Sequence, residues 1–200
     1  MINEQLEVQE YIDGKNINKR CIYRICYLLA KYYHGLEYDH LQIRDSIFNW
    51  AKQNNIYIEF NLNNLINAAI SDKTELRGDV PVHVSNEDID EIRRRFDTKN
   101  TRLLALALLC YGKACAVRGE CSISLLAMAN WLNLDYANMR NRHFKELVDF
   151  GYITKMDTRR KWKKSKRNQM TRIKFNVSLK NNDGTKLIDN NVVSIFYKYF

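Results

Sequence analysis

The sequence predicts a mainly α-helical chain with a small β-hairpin, an α+β fold, and three observations carry that expectation. Apolar residues recur at helical spacing through most of residues 18–150, strand-like alternation is confined to short stretches, and two of those stretches flank one strongly basic segment. Composition agrees with a packed globular chain rather than a collagenous or disordered one: 46% hydrophobic, 28% charged, one proline and seven glycines in 200 residues. That length suits one large domain or two small ones, enough to bury a core without disulfide or metal staples.

The elements follow in order. Asn18 to Tyr33 places Cys21, Ile22, Ile25, Cys26, Leu28, Leu29, Tyr32 and Tyr33 at helical spacing and stops at Gly35, a normal helix end. Tyr38 to Gln53 is a second amphipathic helix with Leu41, Ile47, Phe48, Trp50 and Ala51 on a face and Asp39 as its cap. Ile56 to Phe60 alternates as a short strand or extended connection, and Asn61 to Ile70 is a third helix with Leu62, Leu65, Ile66 and Ala69 inward. Ser71 to His83 collects Asp72, Gly78, Asp79 and the one proline, Pro81, and reads as a linker.

Beyond it, Ser85-Asn86-Glu87-Asp88 has the form of a capping box, followed by Ile89, Ile92 and Phe96 on one face. Thr101 to about Val117 is apolar nearly all round, as a central core helix would be. Cys121 to Ile123 is strand-like, Ser124 to Leu132 a compact helix, Asn133-Leu134-Asp135 a turn, and Tyr136 to Phe150 a further helix closed by Gly151. Tyr152 to Met156 and Thr171 to Val177 read as strands with the basic segment looping between them. The expected organisation is therefore a helical module over 1–80, a second module over 85–178 and an aromatic tail over 179–200.

Charge is concentrated rather than spread. Between Lys155 and Lys174 ten basic residues face the single acid Asp157, so this segment alone carries the net charge of +9 and the rest of the chain balances at 22 and 22. A field so localised collects a polyanion, whereas most charge runs are only solvated loops. The five cysteines, Cys21, Cys26, Cys110, Cys115 and Cys121, are odd in number and read as reduced core residues. Neither pair spaced five apart points at one metal ion on a helix, so no metal or other cofactor is expected. The apolar run Leu103 to Tyr111 is too short to cross a bilayer, and Met1 to Glu10 lacks the composition of a secretion signal. The expectation is a cytoplasmic protein without membrane contact. Asn, Ile, Lys and Tyr make up 69 residues, a bias that suits an A/T-rich bacterial, phage or plasmid genome.

The order helix, short strand, helix, tight turn, helix, glycine, strand, basic loop, strand, with Ile123 to Ile153 reading ISLLAMANWLNLDYANMRNRHFKELVDFGYI, resembles the winged helix-turn-helix family over roughly Thr101 to Val177. The resemblance implies a helix that faces nucleic acid, while fold alone does not fix function. At 100° per residue, Tyr136, Arg140, His143, Phe144 and Leu147 fall on one side of that helix, and Asn138, Asn141, Arg142, Lys145 and Asp149 on the other. Asn and Arg pair bidentately with base edges in a major groove, and Lys145 meets a phosphate. Arg140 departs from a clean core face, either snorkelling to the rim or holding a phosphate. In the basic loop and its strands the candidate DNA contacts are Lys155, Arg159, Arg160, Lys161, Lys163, Lys164, Lys166, Arg167 and Arg172. Trp162, flanked by them, either stacks on a base or packs on the hairpin. An ordinary solvated face is the bland alternative for the helix; adjacency to the basic loop favours the nucleic-acid reading.

Catalysis finds little support. The histidines His34, His40, His83 and His143 lie in four different elements, and no HExxH, GxSxG, phosphate-cradling glycine loop or paired acidic motif is present. The expected function is thus non-enzymatic, sequence-specific binding of double-stranded DNA by a transcriptional regulator or replication initiator of a phage or plasmid. The alternatives are an adaptor that recruits a replication or segregation partner through residues 1–80, and an RNA-binding protein. The three-helix count with the Ile56–Phe60 extension leaves room for a degenerate winged helix in the N-terminal module. A homodimer is expected, with Val193, Ile195, Tyr197 and Tyr199 alternating along an edge strand of the tail as the leading interface and the tyrosine-rich N-terminal module as the other.

Overall fold

The structure is a computed structural model that describes residues 3–78, 80–156, 170–181, 185–187 and 192–200. It is mostly helical with a small three-stranded antiparallel sheet, an α+β fold. The chain divides into two compact units, one spanning Asn3–Asp79 and the other Val80–Phe200.

The N-terminal unit is four helices, α1 (Glu4–Ile12), α2 (Ile22–Gly35), α3 (His40–Gln53) and α4 (Leu62–Ser71). Side-chain oxygens close each of the N-termini of α1, α3 and α4: Asn3 accepts from the Leu6 N–H, Asp39 and Gln42 form a reciprocal capping box, and Asn61 accepts from Asn64. Val8, Ile25, Leu29, Ile43, Ile47, Leu65 and Ile66 build the core. Helix α1 is not foreshadowed by apolar spacing, because a carboxylate stands in its buried face. Glu7 accepts from the Tyr11 hydroxyl at 2.5 Å and pairs with Arg24 of α2 at 3.0 Å, so its charge is satisfied inside the bundle. The segment expected as a linker is instead fastened down: Arg77 offers its carbonyl to the Glu4 and Gln5 amides and its guanidinium to the Glu4 carboxylate at 2.7 Å. Asp72 holds Lys31 at 3.0 Å and the Tyr27 hydroxyl at 2.7 Å. Ile56–Phe60, expected as a short strand or extended connection, forms no strand and bends at Phe60, and no strand occurs among the described residues of this unit.

The C-terminal unit runs β1 (Val82–Val84), α5 (Asn86–Arg95), α6 (Lys99–Cys115), β2 (Glu120–Ile123), α7 (Leu125–Trp131), α8 (Tyr136–Asn138), a π turn (Met139–His143), α9 (Phe144–Asp149), β3 (Ile153–Lys155), β4 (Thr171–Phe175), β5 (Thr185–Leu187) and α10 (Val192–Tyr199). Helix α6 is its centre: every residue from Leu103 to Cys110 is buried. Burial pushes the Cys110 thiol, like that of Cys26 in the other unit, up to about 12, so both behave as small apolar groups. The expected capping box at Ser85 and Asp88 is present, and Asp88 also receives the buried Lys113 ammonium at 2.6 Å, whose second acceptor is the His83 carbonyl. One antiparallel sheet has the order β2-β4-β3, with Ser122 opposite Arg172 and Thr154 opposite Lys174. A second pairs β1 with β5.

Two sequence expectations need correction here. Val82 and His83, expected in the linker, belong to strand β1, while within the expected tail 179–200 strand β5 pairs with β1 and helix α10 joins the core. The proposed edge strand Val193–Tyr199 is helical. Val192, Ile195 and Phe196 are buried at the i, i+3, i+4 spacing of a helix, and a two-residue period would have wasted Val192 and Phe196 on solvent.

Gly112 sits inside α6 rather than ending it. A Cβ there would lie 2.7 Å from the Phe175 ring, so the glycine admits β4 to the helix. Gly112→Ala should therefore destabilise the unit by about 1–3 kcal/mol through overpacking, seen as a lower urea midpoint, whereas alanine at the open, helical Gly35, with nothing within 4 Å of a Cβ, should not.

Candidate nucleic-acid interface

Helices α7 and α8 are joined by a short turn made by backbone bonds. Asn133 adopts φ +52°, its N–H donates to Asn130 O and the Leu134 N–H donates to Ala129 O, a Schellman closure with asparagine in the left-handed position. Asp135 then caps α8 by accepting from the Asn138 N–H at 2.8 Å. The far end closes the same way. Gly151, at φ +65°, donates to Val148 O and Tyr152 to Leu147 O, which returns the chain into β3.

Between those closures, Met139, His143, Phe144 and Leu147 are buried and Asn138, Arg140, Asn141, Arg142 and Lys145 are exposed. Arg140, which periodicity puts on the core side as a departure at its rim or holding a phosphate, stands exposed. The π turn winds more slowly than 3.6 residues per turn, which keeps Met139, His143 and Leu147 in line as the core stripe and leaves Arg140 beside it. Met139 was not singled out, because a constant 100° step sets it off the stripe centre. None of the five exposed side chains makes a hydrogen bond or ion pair among the described residues. Glu146 is the i+4 neighbour of Arg142, but it is held elsewhere.

That other partner fixes the rotation of the helix. Thr101, buried in the first turn of α6, donates its hydroxyl proton to Glu146 at 2.7 Å. A hydroxyl has one proton, so Thr101 accepts from the Thr98 hydroxyl at 2.7 Å and from His143 Nδ1–H at 2.9 Å. Burial, and then the Arg142 charge, depress the His143 pKa below its ordinary value, which favours the neutral ring this network uses.

The remaining candidates divide. Lys155 is exposed at the end of β3. Arg172 is exposed on β4, but its guanidinium is engaged by Glu120 across the sheet at 2.5 Å. Lys174, not among the expected contacts, is exposed two residues on, and strand alternation from Arg172 is the signal that locates it. Arg159, Arg160, Lys161, Trp162, Lys163, Lys164, Lys166 and Arg167 lie outside the described residues. Among the described residues no three His, Cys, Asp or Glu side chains converge as a metal site, and no helix is long and apolar enough to cross a membrane. Comparison with protein-family models, curated proteins and solved structures gives no match.

A depressed histidine pKa has a defined effect on stability. The unfolded chain, with His143 near 6.5, binds more protons than the folded one just below that pH, so stability rises with pH through this window and is fully present above about 6.5. Acidification from pH 7.5 to 5.5 should lower the thermal midpoint of the C-terminal unit, and His143→Gln should flatten that dependence. A wild-type slope unchanged in His143→Gln would assign it to other groups.

Proposed function

We propose that the C-terminal unit is a winged helix-turn-helix module that binds double-stranded DNA, with α8, the π turn and α9 as the helix that enters the major groove. The observation that carries this reading is the row of five exposed side chains, Asn138, Arg140, Asn141, Arg142 and Lys145, held in a fixed rotation and without protein partners among the described residues. Asn141 and Arg142 supply base-edge contacts, and Lys145 a phosphate contact. The order of α6, β2, α7, α8–α9, β3 and β4, and the antiparallel order β2-β4-β3, support the reading as a helix-turn-helix followed by a hairpin. The sequence linking β3 to β4 holds most of the excess positive charge, suited to flanking phosphates. The N-terminal unit, with nine basic and eleven acidic residues between 3 and 79, has no such excess.

On this reading the protein is a non-catalytic regulator or replication initiator of a mobile element. The test is salt-titrated binding of the full chain to duplex DNA, single-stranded DNA and RNA. Asn141→Ala and Arg142→Ala should each cost roughly 1–3 kcal/mol of discrimination between a selected and a random duplex. Neutralising Arg159, Arg160, Lys163 and Lys164 should weaken binding to all duplexes alike and flatten the logarithmic salt dependence by about 0.9 for each phosphate that is no longer neutralised. Preference for RNA, or an affinity indifferent to all six substitutions, would overturn the proposal.

A further inference from the structure

The N-terminal unit contains a segment, Ile56–Phe60, that lies in neither helix nor strand and bends at Phe60. From Ile56 to Phe60 burial alternates, with Ile56, Ile58 and Phe60 half-buried against the helices and Tyr57 and Glu59 exposed. Ile56 still donates its N–H to Ala51 O, closing α3. From Tyr57 to Phe60, by contrast, no backbone N–H or C=O is bonded to another backbone group among the described residues. This is the inward and outward alternation of a β-strand without a neighbouring strand, and an open row of donors and acceptors is a template for another extended chain. Tyr57, at 84%, is the most exposed of the large apolar side chains among the described residues.

The side chains select the occupant. We infer that residues 56–60 pair antiparallel with the same residues of a second copy, about a two-fold axis through Ile58. In that register Ile58 stands opposite Ile58, and Tyr57 opposite Glu59, twice by symmetry, which places each phenol against a carboxylate able to accept its proton. A parallel pairing in register would set Glu59 against Glu59 and is disfavoured by charge. A two-stranded ribbon alone is marginal, and the pairing is supported here because both strands are already fixed to helices by Ile56, Ile58 and Phe60. Tyr23, half exposed and edge-on to Phe60 at 5.1 Å, extends the aromatic surface next to the strand. This inference does not rest on the DNA reading, and its test needs no nucleic acid.

The experiment is sedimentation equilibrium of the full-length chain at pH 7.5, with two variants of the exposed Tyr57. Tyr57→Glu sets like charges opposite each other at two symmetric places and should weaken the dimer roughly tenfold. Tyr57→Lys faces Glu59 with an opposite charge and should keep the dimer. Because Tyr57 is 84% exposed among the described residues, a difference between two variants that remove the same ring reads pairing and not folding, and equal thermal midpoints check this. Amide exchange at alternate residues within Tyr57–Phe60, those on the paired edge, should slow as concentration rises in the wild type and in Tyr57→Lys. A wild type monomeric at roughly 100 μM would overturn the inference and leave the edge to a strand of another protein. Variants that dimerise equally well, or equally poorly, would also overturn it, because the Tyr57–Glu59 register requires them to differ.

Discussion

The C-terminal unit depends on the burial of one helix. Eight consecutive residues of α6, Leu103 to Cys110, have no face on solvent, and an all-apolar helix of this kind is stable in water only when it is enclosed. The enclosing elements are attached at specific places. Lys113 reaches Asp88 of α5 and the His83 carbonyl of β1, Gly112 admits Phe175 of β4, Thr101 holds His143 and Glu146, and α10 adds Val192, Ile195 and Phe196. Lys113 shows how tight the enclosure is. Its ammonium is nearly inaccessible, and removing either the Asp88 carboxylate or the lysine would leave a buried charge without its counterpart.

The same enclosure separates the two faces of the helix that follows the turn. Its inner face is specified by packing and by the Thr98–Thr101–His143–Glu146 chain, so its rotation about its own axis has little freedom. The π turn is part of that specification, because it reconciles a core stripe at 139, 143 and 147 with a helix whose ordinary pitch would carry the stripe away.

Most elements were legible because their signals are local. Asp39, Ser85 and Ser124 cap the helices they precede, Gly35 and Gly151 end others, and the strands on either side of the basic segment begin and end within two residues of their expected limits. What was not legible depended on distant partners. Helix α1 has a glutamate in its inner face that Arg24 and Tyr11 help to make tolerable, and β1 is a strand because β5 pairs with it a hundred residues later. The aromatic C-terminus fits both a strand and a helix by composition, and α6 decides for the helix by offering a surface for Val192, Ile195 and Phe196. Among the candidate contacts, the type and exposure of Asn138, Asn141, Arg142 and Lys145 followed from simple periodicity. Arg140 did not, because a π turn leaves no mark in a pattern counted at 100° per residue.

An exposed polar helix face is ordinarily explained by solvation, and the distinction here lies in its ion pairs. A solvated helix commonly lays opposite charges four residues apart, each pair contributing about 0.2–0.5 kcal/mol. Two such pairs are written into this one, Arg142 with Glu146 and Lys145 with Asp149, and neither is formed among the described residues. For the first pair the reason is visible: the Glu146 carboxylate is turned toward Thr101 and binds the helix to α6, which leaves the Arg142 guanidinium unmatched among the described residues. The acid that would neutralise the face is used to orient it. That arrangement gives up a surface ion pair of little value and leaves a fixed pattern of donors at the surface, which on the proposed DNA-binding reading faces a polyanion.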